Sequence, residues 1–332
     1  MKRKIFLILI LLGILINFAW GTDPTAYVIN NLGETLSKVN LKTNVVTNDF
    51  LTLGTAPFCA PNQIVVHNNL FTTTAYVVNS VTSEIQIIDL KTETTVGYID
   101  VGEGRNPFWM AFSDSDTEYA WVTCSMVDSL FKVDVINRNL LAGYPIGVWP
   151  EGILILDSLA YICISAFDII TYMYGQGKVV VFDTRTNSII KELNVGTNPQ
   201  YITLDNQGEI YVCCTGDYWS AWGTIYIIDP GINEIKDSIQ IGGSPGQIAI
   251  SPDGVGWLAA GGWGTDGQIY LFDSQADTVI RGADYPLGIP GDSGIISLVG
   301  FQDSTVFACA FQADEAVKLD TSGSVLKRYL LG

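Results

Sequence analysis

Seven times along the chain an extended, largely apolar run ends on Asp or Asn and breaks into a polar turn. The runs are LSKVN ending at Asn40, IQIID at Asp89, FKVD at Asp134, VVVFD at Asp183, IYIID at Asp229, IYLFD at Asp273 and AVKLD at Asp320. Successive end residues lie 44 to 49 positions apart. Spacing that regular marks one supersecondary unit repeated along the chain. The turns that follow share a form, as in NLKTN, DLKTE and DTRTN. An Asp or Asn at the head of such a turn accepts hydrogen bonds from amides two or three residues on, so these side chains are assigned to pinning turns.

Each unit has three further extended segments. Upstream lies a nearly unbroken apolar run: AYVIN, AYVVN, YAWVTC, AYICIS, IYVCCT, GWLAAGG and VFACAF. Continuous apolar character without alternation fits a strand buried on both faces. Downstream comes a strand such as VGYIDVG or IKELNVG, closing on glycine. A proline turn then leads to a fourth strand. These turns are Gly54–Pro57, Gly102–Pro107, Gly147–Pro150, Gly196–Pro199, Gly242–Pro245 and Gly288–Pro290.

Four strands in about 46 residues, with no helical period, are the composition of a propeller blade. The predicted fold is all-β: a seven-bladed β-propeller of four-stranded antiparallel blades. A solenoid, the rival repeat architecture, needs capping ends that the sequence lacks. From the axis outward, the second, third and fourth strands each occur seven times and the first only six. The first blade therefore lacks its inner strand, or residues 22–25 stand in for it.

At the N-terminus, Lys2, Arg3 and Lys4 precede an apolar run from Ile5 to Ile16, followed by Ala19, Trp20 and Gly21. That is the order of a secretory signal. The run is too short to span a bilayer, which takes about 20 apolar residues. Residues 1–21 are assigned to a signal peptide and 22–332 to one propeller domain, periplasmic or extracellular, with no membrane insertion after cleavage. The remaining chain has 14 Lys plus Arg against 34 Asp plus Glu, a formal charge of −20. A field of that sign repels nucleic acid, which is excluded as a partner. Of the six cysteines, Cys124, Cys163, Cys213, Cys214 and Cys309 sit in strand-like apolar runs without metal-ligand spacing; most are taken as small buried thiols, with a disulfide, whose partners the sequence does not choose, as the alternative.

The segment AYVVNSVTSEIQIIDLKTETTVGYIDVGEGRNP resembles the YVTN-type β-propeller repeat, as do AYVIN, IYIID and ELNVGTNP. The likeness covers residues 26–332 and is strongest between 75 and 252. It implies the propeller fold and a place at the cell surface or in the periplasm. Related propellers include lactone hydrolases and a DNA-binding periplasmic protein.

Little in the chain supports chemistry. The single histidine, His67, rules out a multi-histidine zinc site and weakens any Ser-His-Asp arrangement; it is expected at a strand end, facing water or the axial channel. Asp168, Asp217 and Asp266 lie in comparable loops but form no recognisable calcium loop. The alternative to a binding protein is a metal-dependent, lactonase-like hydrolase at the axis, with Asp284, Glu151 and Asn106 as the available side chains. No metal and no cofactor are assigned.

The loops between second and third strands lengthen to SAFDIITYMYGQG in blade 4 and TGDYWSAWGT in blade 5, with GGWGTDG in blade 6. They carry Tyr172, Tyr174, Tyr218, Trp219, Trp222 and Trp263. The connections from one blade to the next emerge on the same face and add Trp109, Trp149 and Tyr285. Large aromatics in polar, glycine-containing loops are expected to stack on sugars or anchor a peptide. The competing expectation is a lid in which they pack on one another. The function expected is non-catalytic binding or scaffolding in the cell envelope, with a protein or a glycan as partner.

Overall fold

The computed structural model describes residues 24–68, 73–113, 118–260, 266–300 and 305–331. They form seven antiparallel sheets in a ring, a seven-bladed β-propeller. Blade 4 shows the regular order, with Pro150–Leu156 innermost, then Leu159–Ile164, Lys178–Asp183 and Ser188–Asn194. Its innermost strand and the second strand Leu159–Ile164 are almost wholly buried, while the outer strand is largely exposed. This explains the two kinds of apolar run: the second strand is covered on both faces by neighbouring blades, and the fourth meets water.

Seven apolar clusters fill the seven gaps between blades. The gap between blades 2 and 3 holds Tyr76, Val78 and Ile85 against Met110, Val122 and Phe131. The last gap holds Ala26, Val28 and Val39 of blade 1 against Phe307, Ala316 and Tyr329 of blade 7. The ring thus closes by side-chain packing, helped by a 2.6 Å hydrogen bond from Tyr329 Oη to Asn44 Oδ1.

The acid at the end of each third strand caps a turn, as its position implied. Asp89 Oδ1 accepts from the amides of Lys91 (2.8 Å) and Thr92 (3.2 Å). Asp134, Asp183, Asp273 and Asn40 cap in the same way. Four residues beyond these acids the backbone turns left-handed, at Asn44, Glu93, Arg138, Asn187, Asn233 and Asp277. Asn and Asp tolerate that conformation best, which accounts for their frequency there.

Blade 1 has three strands, Thr25–Asn30, Thr35–Asn40 and Val45–Thr52. Of residues 22–25, the first two lie outside the described residues and Thr25 opens the first of these strands. Blade 6 departs from expectation. Its outer strand is split into Thr278–Arg281 and Leu287–Ser293, both paired to Asp266–Asp273. The segment Gly288–Pro290 is therefore part of an edge strand, not the proline turn into blade 7. Proline suits an edge because no ladder amide is required on the open side. His67 sits near the end of the inner strand Pro61–Asn68, as expected. Its ring stacks on Phe112 at 4.1 Å, between the inner strands of blades 2 and 3. All six cysteines are free and five are buried; burial pushes the Cys124 thiol up to about 12.

The turn between blades requires a close backbone approach at its partner. A Cβ on Gly223 would lie 2.2 Å from Pro245 Cδ and 2.6 Å from the Gly242 carbonyl. Gly177 meets Gly196 and Pro199 in the same way one blade earlier. Gly223→Ala is expected to destabilise the fold by about 2 kcal/mol or more, since backbone must move to admit the methyl group. Urea unfolding monitored at the β-sheet circular dichroism band checks this, and an unchanged midpoint would contradict it.

Candidate functional site

The inner strands begin at the top face with a repeated irregularity. Register shifts occur after Pro61, Pro107, Pro150, Pro199 and Ile295. Bulges of this kind re-aim side chains next to sites. In blade 4 the displaced residues are Glu151 and Gly152. Glu151 is only 2 % exposed, and burial pushes its carboxyl up to about 8. Ser165 and Gln200 are its hydrogen-bonding neighbours. Ser165 donates its own proton to the Trp149 carbonyl at 3.1 Å. Burial outweighs the hydrogen bonds that Ser165 and Gln200 offer to Glu151, which act in the opposite direction. Its Oε2 has no hydrogen-bond partner, nor does Oδ1 of the buried Asn198 on the neighbouring blade.

Three tyrosines lie near enough to this acid to feel its charge. Tyr201, Tyr218 and Tyr174 are held above the ordinary tyrosine range, first by burial and also by Glu151. Tyr201 meets Trp109 edge-on at 5.7 Å across the channel. Trp109 lies within the inner strand Pro107–Phe112, not in a connection between blades. It faces the axial cavity instead of the rim, because the register shift places it opposite Thr123.

The long loop of blade 4 contains a small hairpin, Phe167–Asp168 against Met173–Tyr174. Asp168 holds its turn by accepting from the Ile170 amide at 2.8 Å and the Thr171 hydroxyl at 2.9 Å. Phe167, which the sequence did not single out, is the hub. Its ring lies 5.0 Å from Trp149, 5.1 Å from Tyr174 and 6.2 Å from Tyr172. These three aromatics thus pack about one ring as a lid, although the outer side of Tyr172 remains exposed.

The blade 5 loop is built differently. Asp217 Oδ1 accepts from the amides of Trp219 (2.9 Å), Ser220 (2.7 Å) and Ala221 (2.8 Å). Its Oδ2 accepts from Ser220 Oγ at 2.6 Å. These bonds hold the Asp217 carboxyl well below the usual range. The loop is thereby fixed while its rings point outward: Trp219 is 85 % exposed and Trp222 56 %. Tyr218 beside them is half exposed and feels the charge of Glu151.

One other expected member is elsewhere. Tyr285 lies in the break between the two pieces of the blade 6 outer strand, under the Arg281 guanidinium at 4.7 Å, away from the loop into blade 7. The insertion that splits the strand carries it to the blade's outer edge. Trp263 lies outside the described residues. Asp284 shares the position of Tyr285, so Asp284, Glu151 and Asn106 do not meet over the axis. Among the described residues no three His, Cys, Asp or Glu side chains come together as a metal-binding group.

The cap has a pH signature. Because Asp217 is depressed in the folded loop, its ordering contribution is complete above the ordinary carboxyl value of about 3.9. It is lost as pH falls through the lower folded value. Asp217→Ala is expected to loosen the loop at every pH while leaving the ring intact. Tryptophan fluorescence anisotropy at pH 7 reads this, and an anisotropy equal to that of the unaltered protein would count against it.

No protein-family model and no curated protein matches the sequence. Solved structures do match in fold. Kuenenia stuttgartiensis hydrazine synthase gives a TM-score of 0.68 at 13% identity, covering 85% of this chain and 89% of that one. A functionally unknown protein from Desulfotomaculum acetoxidans gives 0.65 at 15% identity, covering 92% and 95%. The computationally designed Ika8 protein gives 0.59 at 11% identity, covering 96% and 88%. At these identities the likeness establishes the propeller fold alone.

Proposed function

We propose that this chain is an exported envelope propeller of the YVTN repeat type that binds a protein or a glycan, without catalysis, through the top-face loops of blades 4 and 5. The observation that carries the reading is the blade 5 loop: two exposed tryptophans on a backbone fixed by a single carboxylate. An exposed ring on a mobile loop loses entropy on binding, whereas one on a fixed loop has already lost it. Tyr218 and Tyr172 extend the surface towards blade 4, and Trp149 and Tyr174 support it from beneath. The formal charge of −20 after removal of residues 1–21 favours neutral or cationic partners.

The test is capture from envelope extracts, alongside a glycan array, using the unaltered protein and the double variant Trp219→Ala/Trp222→Ala. The proposal expects a partner or glycan retained by the first and lost by the second. Equal retention by both would overturn it. Export is tested separately: the N-terminal residue of secreted protein is expected to be Thr22.

A further inference from the structure

The tip of the blade 4 hairpin is apolar where a surface turn is ordinarily polar. Ile169, Ile170, Tyr172 and Met173 fill all but one of positions 169–173. All four are exposed, Ile170 to 85 % and Met173 to 63 %. Single exposed apolar side chains are common, but a cluster on one projection marks a contact surface. The Phe167 ring meets Tyr172 on one side only, at 6.2 Å. Ile169, Ile170 and Met173 belong to none of the apolar clusters between blades.

We propose that residues 169–173 form a wedge that seats Ile170 and Met173 in the interfacial layer of a lipid membrane with a neutral surface.

Three observations support that occupant. First, the tip satisfies its own backbone. The amides of Ile170 (2.8 Å) and Thr171 (3.4 Å) donate to Asp168 Oδ1, and the Thr171 hydroxyl donates to Oδ2 at 2.9 Å. The Tyr172 amide donates to the Asp168 carbonyl at 2.7 Å and the Gly175 amide to the Ala166 carbonyl at 2.9 Å. A segment that leaves water must pair its polar groups internally. A sugar or a peptide is recognised through free donors and acceptors, and these amides are already in use. Second, Tyr172 holds a left-handed backbone, with φ 57°. Glycine or asparagine suits that position and a bulky residue is uncommon there. The turn gains nothing from a tyrosine, whereas a ring with one polar end among aliphatic side chains suits a membrane–water boundary.

Third, the charges select the kind of surface. No Lys or Arg lies between Arg138 and Lys178 in the sequence, and Lys178 Nζ is held by Glu192 at 2.6 Å. The formal net charge of the chain is −17. Anionic lipid and a second copy of this chain are both repelled by such a field, which leaves a neutral surface. The aliphatic Ile170 and Met173 offer a sugar no flat face to stack on. Asp168 is the single charged residue among positions 166–176. An ionised carboxylate is costly in hydrocarbon, so it confines the wedge to the headgroup boundary. Among the described residues no helix is long and apolar enough to cross a membrane, and the wedge makes a peripheral contact. This goes beyond the binding role of the blade 5 loop. Tyr174 of the hairpin feels Tyr218 of that loop, so the wedge would hold the tryptophan surface near the lipid.

The test uses protein beginning at Thr22, which keeps every described residue and removes the apolar run from Ile5 to Ile16, itself able to bind lipid. It is floated with vesicles of phosphatidylcholine and phosphatidylethanolamine, and separately with vesicles containing added phosphatidylglycerol. The expected result is saturable binding to the neutral vesicles and weaker binding to the anionic ones. Ile170→Ser/Met173→Ser is expected to bind neutral vesicles at least about tenfold more weakly, because buried apolar area drives the contact. Trp219→Ala/Trp222→Ala is expected to change vesicle binding by less than about threefold, since the substituted residues lie on another loop. Vesicle binding and partner capture therefore fail separately.

Absence of binding to neutral vesicles would overturn the inference. So would equal binding by the serine variant, or binding that requires phosphatidylglycerol. A dimer that the serine substitutions dissociate, without flotation, would make a second copy the occupant and also overturn it. Loss of glycan or protein capture in that variant, again without flotation, would do the same. Hydrogen exchange on the unaltered protein decides the matter even if the serine variant does not fold. Neutral vesicles should slow exchange of the amides of residues 169–173 at least about threefold and leave Ser188–Asn194 unchanged. Unaltered exchange at the tip would overturn the inference.

Discussion

Glu151→Gln is expected to flatten the dependence of stability on pH between about 5 and 8, and to raise the melting temperature at pH 8. In the unfolded chain a glutamate titrates near 4.3. In the fold, burial moves Glu151 to about 8. Between these values the folded state holds a proton that the unfolded state has released. Raising the pH therefore favours unfolding, and stability falls progressively until the folded value is passed. A shift of that size corresponds to roughly 3–5 kcal/mol lost across the window. For a chain of this length that is on the order of 5–10 °C in melting temperature. The depressed carboxyls, such as Asp217 and Asp134, are already ionised throughout the window and contribute little slope within it. Glutamine keeps the shape and the hydrogen bonds but removes the titration. Thermal melts at pH 5, 6.5 and 8 for both proteins measure the effect. A flat profile for the unaltered protein would show that Glu151 ionises freely, with water reaching its Oε2.

Trp219→Ala/Trp222→Ala carries the second large effect. Both rings project from a loop whose hydrogen bonds come from Asp217 and the backbone, so neither is needed to hold the loop. The expected stability change is within about 0.5 kcal/mol, the usual range for exposed positions. Aromatic residues at the centre of an interface each cost about 2 kcal/mol or more when truncated. Losing both is expected to weaken the partner at least a hundredfold, a difference of about 2.7 kcal/mol. Circular dichroism and melting temperature should match the unaltered protein while capture of the partner disappears. A folded double variant that binds with undiminished affinity would move the site elsewhere, with the lid around Phe167 as the next surface to test.

Much of this molecule was legible along the chain. The seven capping side chains, six Asp and one Asn, revealed the repeat, because a side chain that caps its own turn acts within a few residues and leaves a local signature. The doubly buried second strands were visible as unbroken apolar runs, because blade-on-blade packing constrains every position in them. The three-stranded form of blade 1 among the described residues was visible as a count of six against seven. The loop aromatics were visible as residues that the β core does not require.

Other features depended on where distant segments meet. Phe167 became a hub only when the blade 4 hairpin folded over Trp149. Trp109 stood close to a proline turn in sequence, but a register shift turned it into the axial cavity. Tyr285 followed a strand that the ladder of blade 6 splits in two, and no local pattern announces that split. Glu151 looked like any acid after a proline. Its raised carboxyl arises from burial beside Ser165 of blade 4 and Gln200 of blade 5, which only the fold brings together. Turn caps and strand burial are governed by neighbours in sequence or by the repeat itself, so the sequence alone determined them. The lid and the buried acid depend on which blades adjoin across the axis, and only closure of the ring decided them.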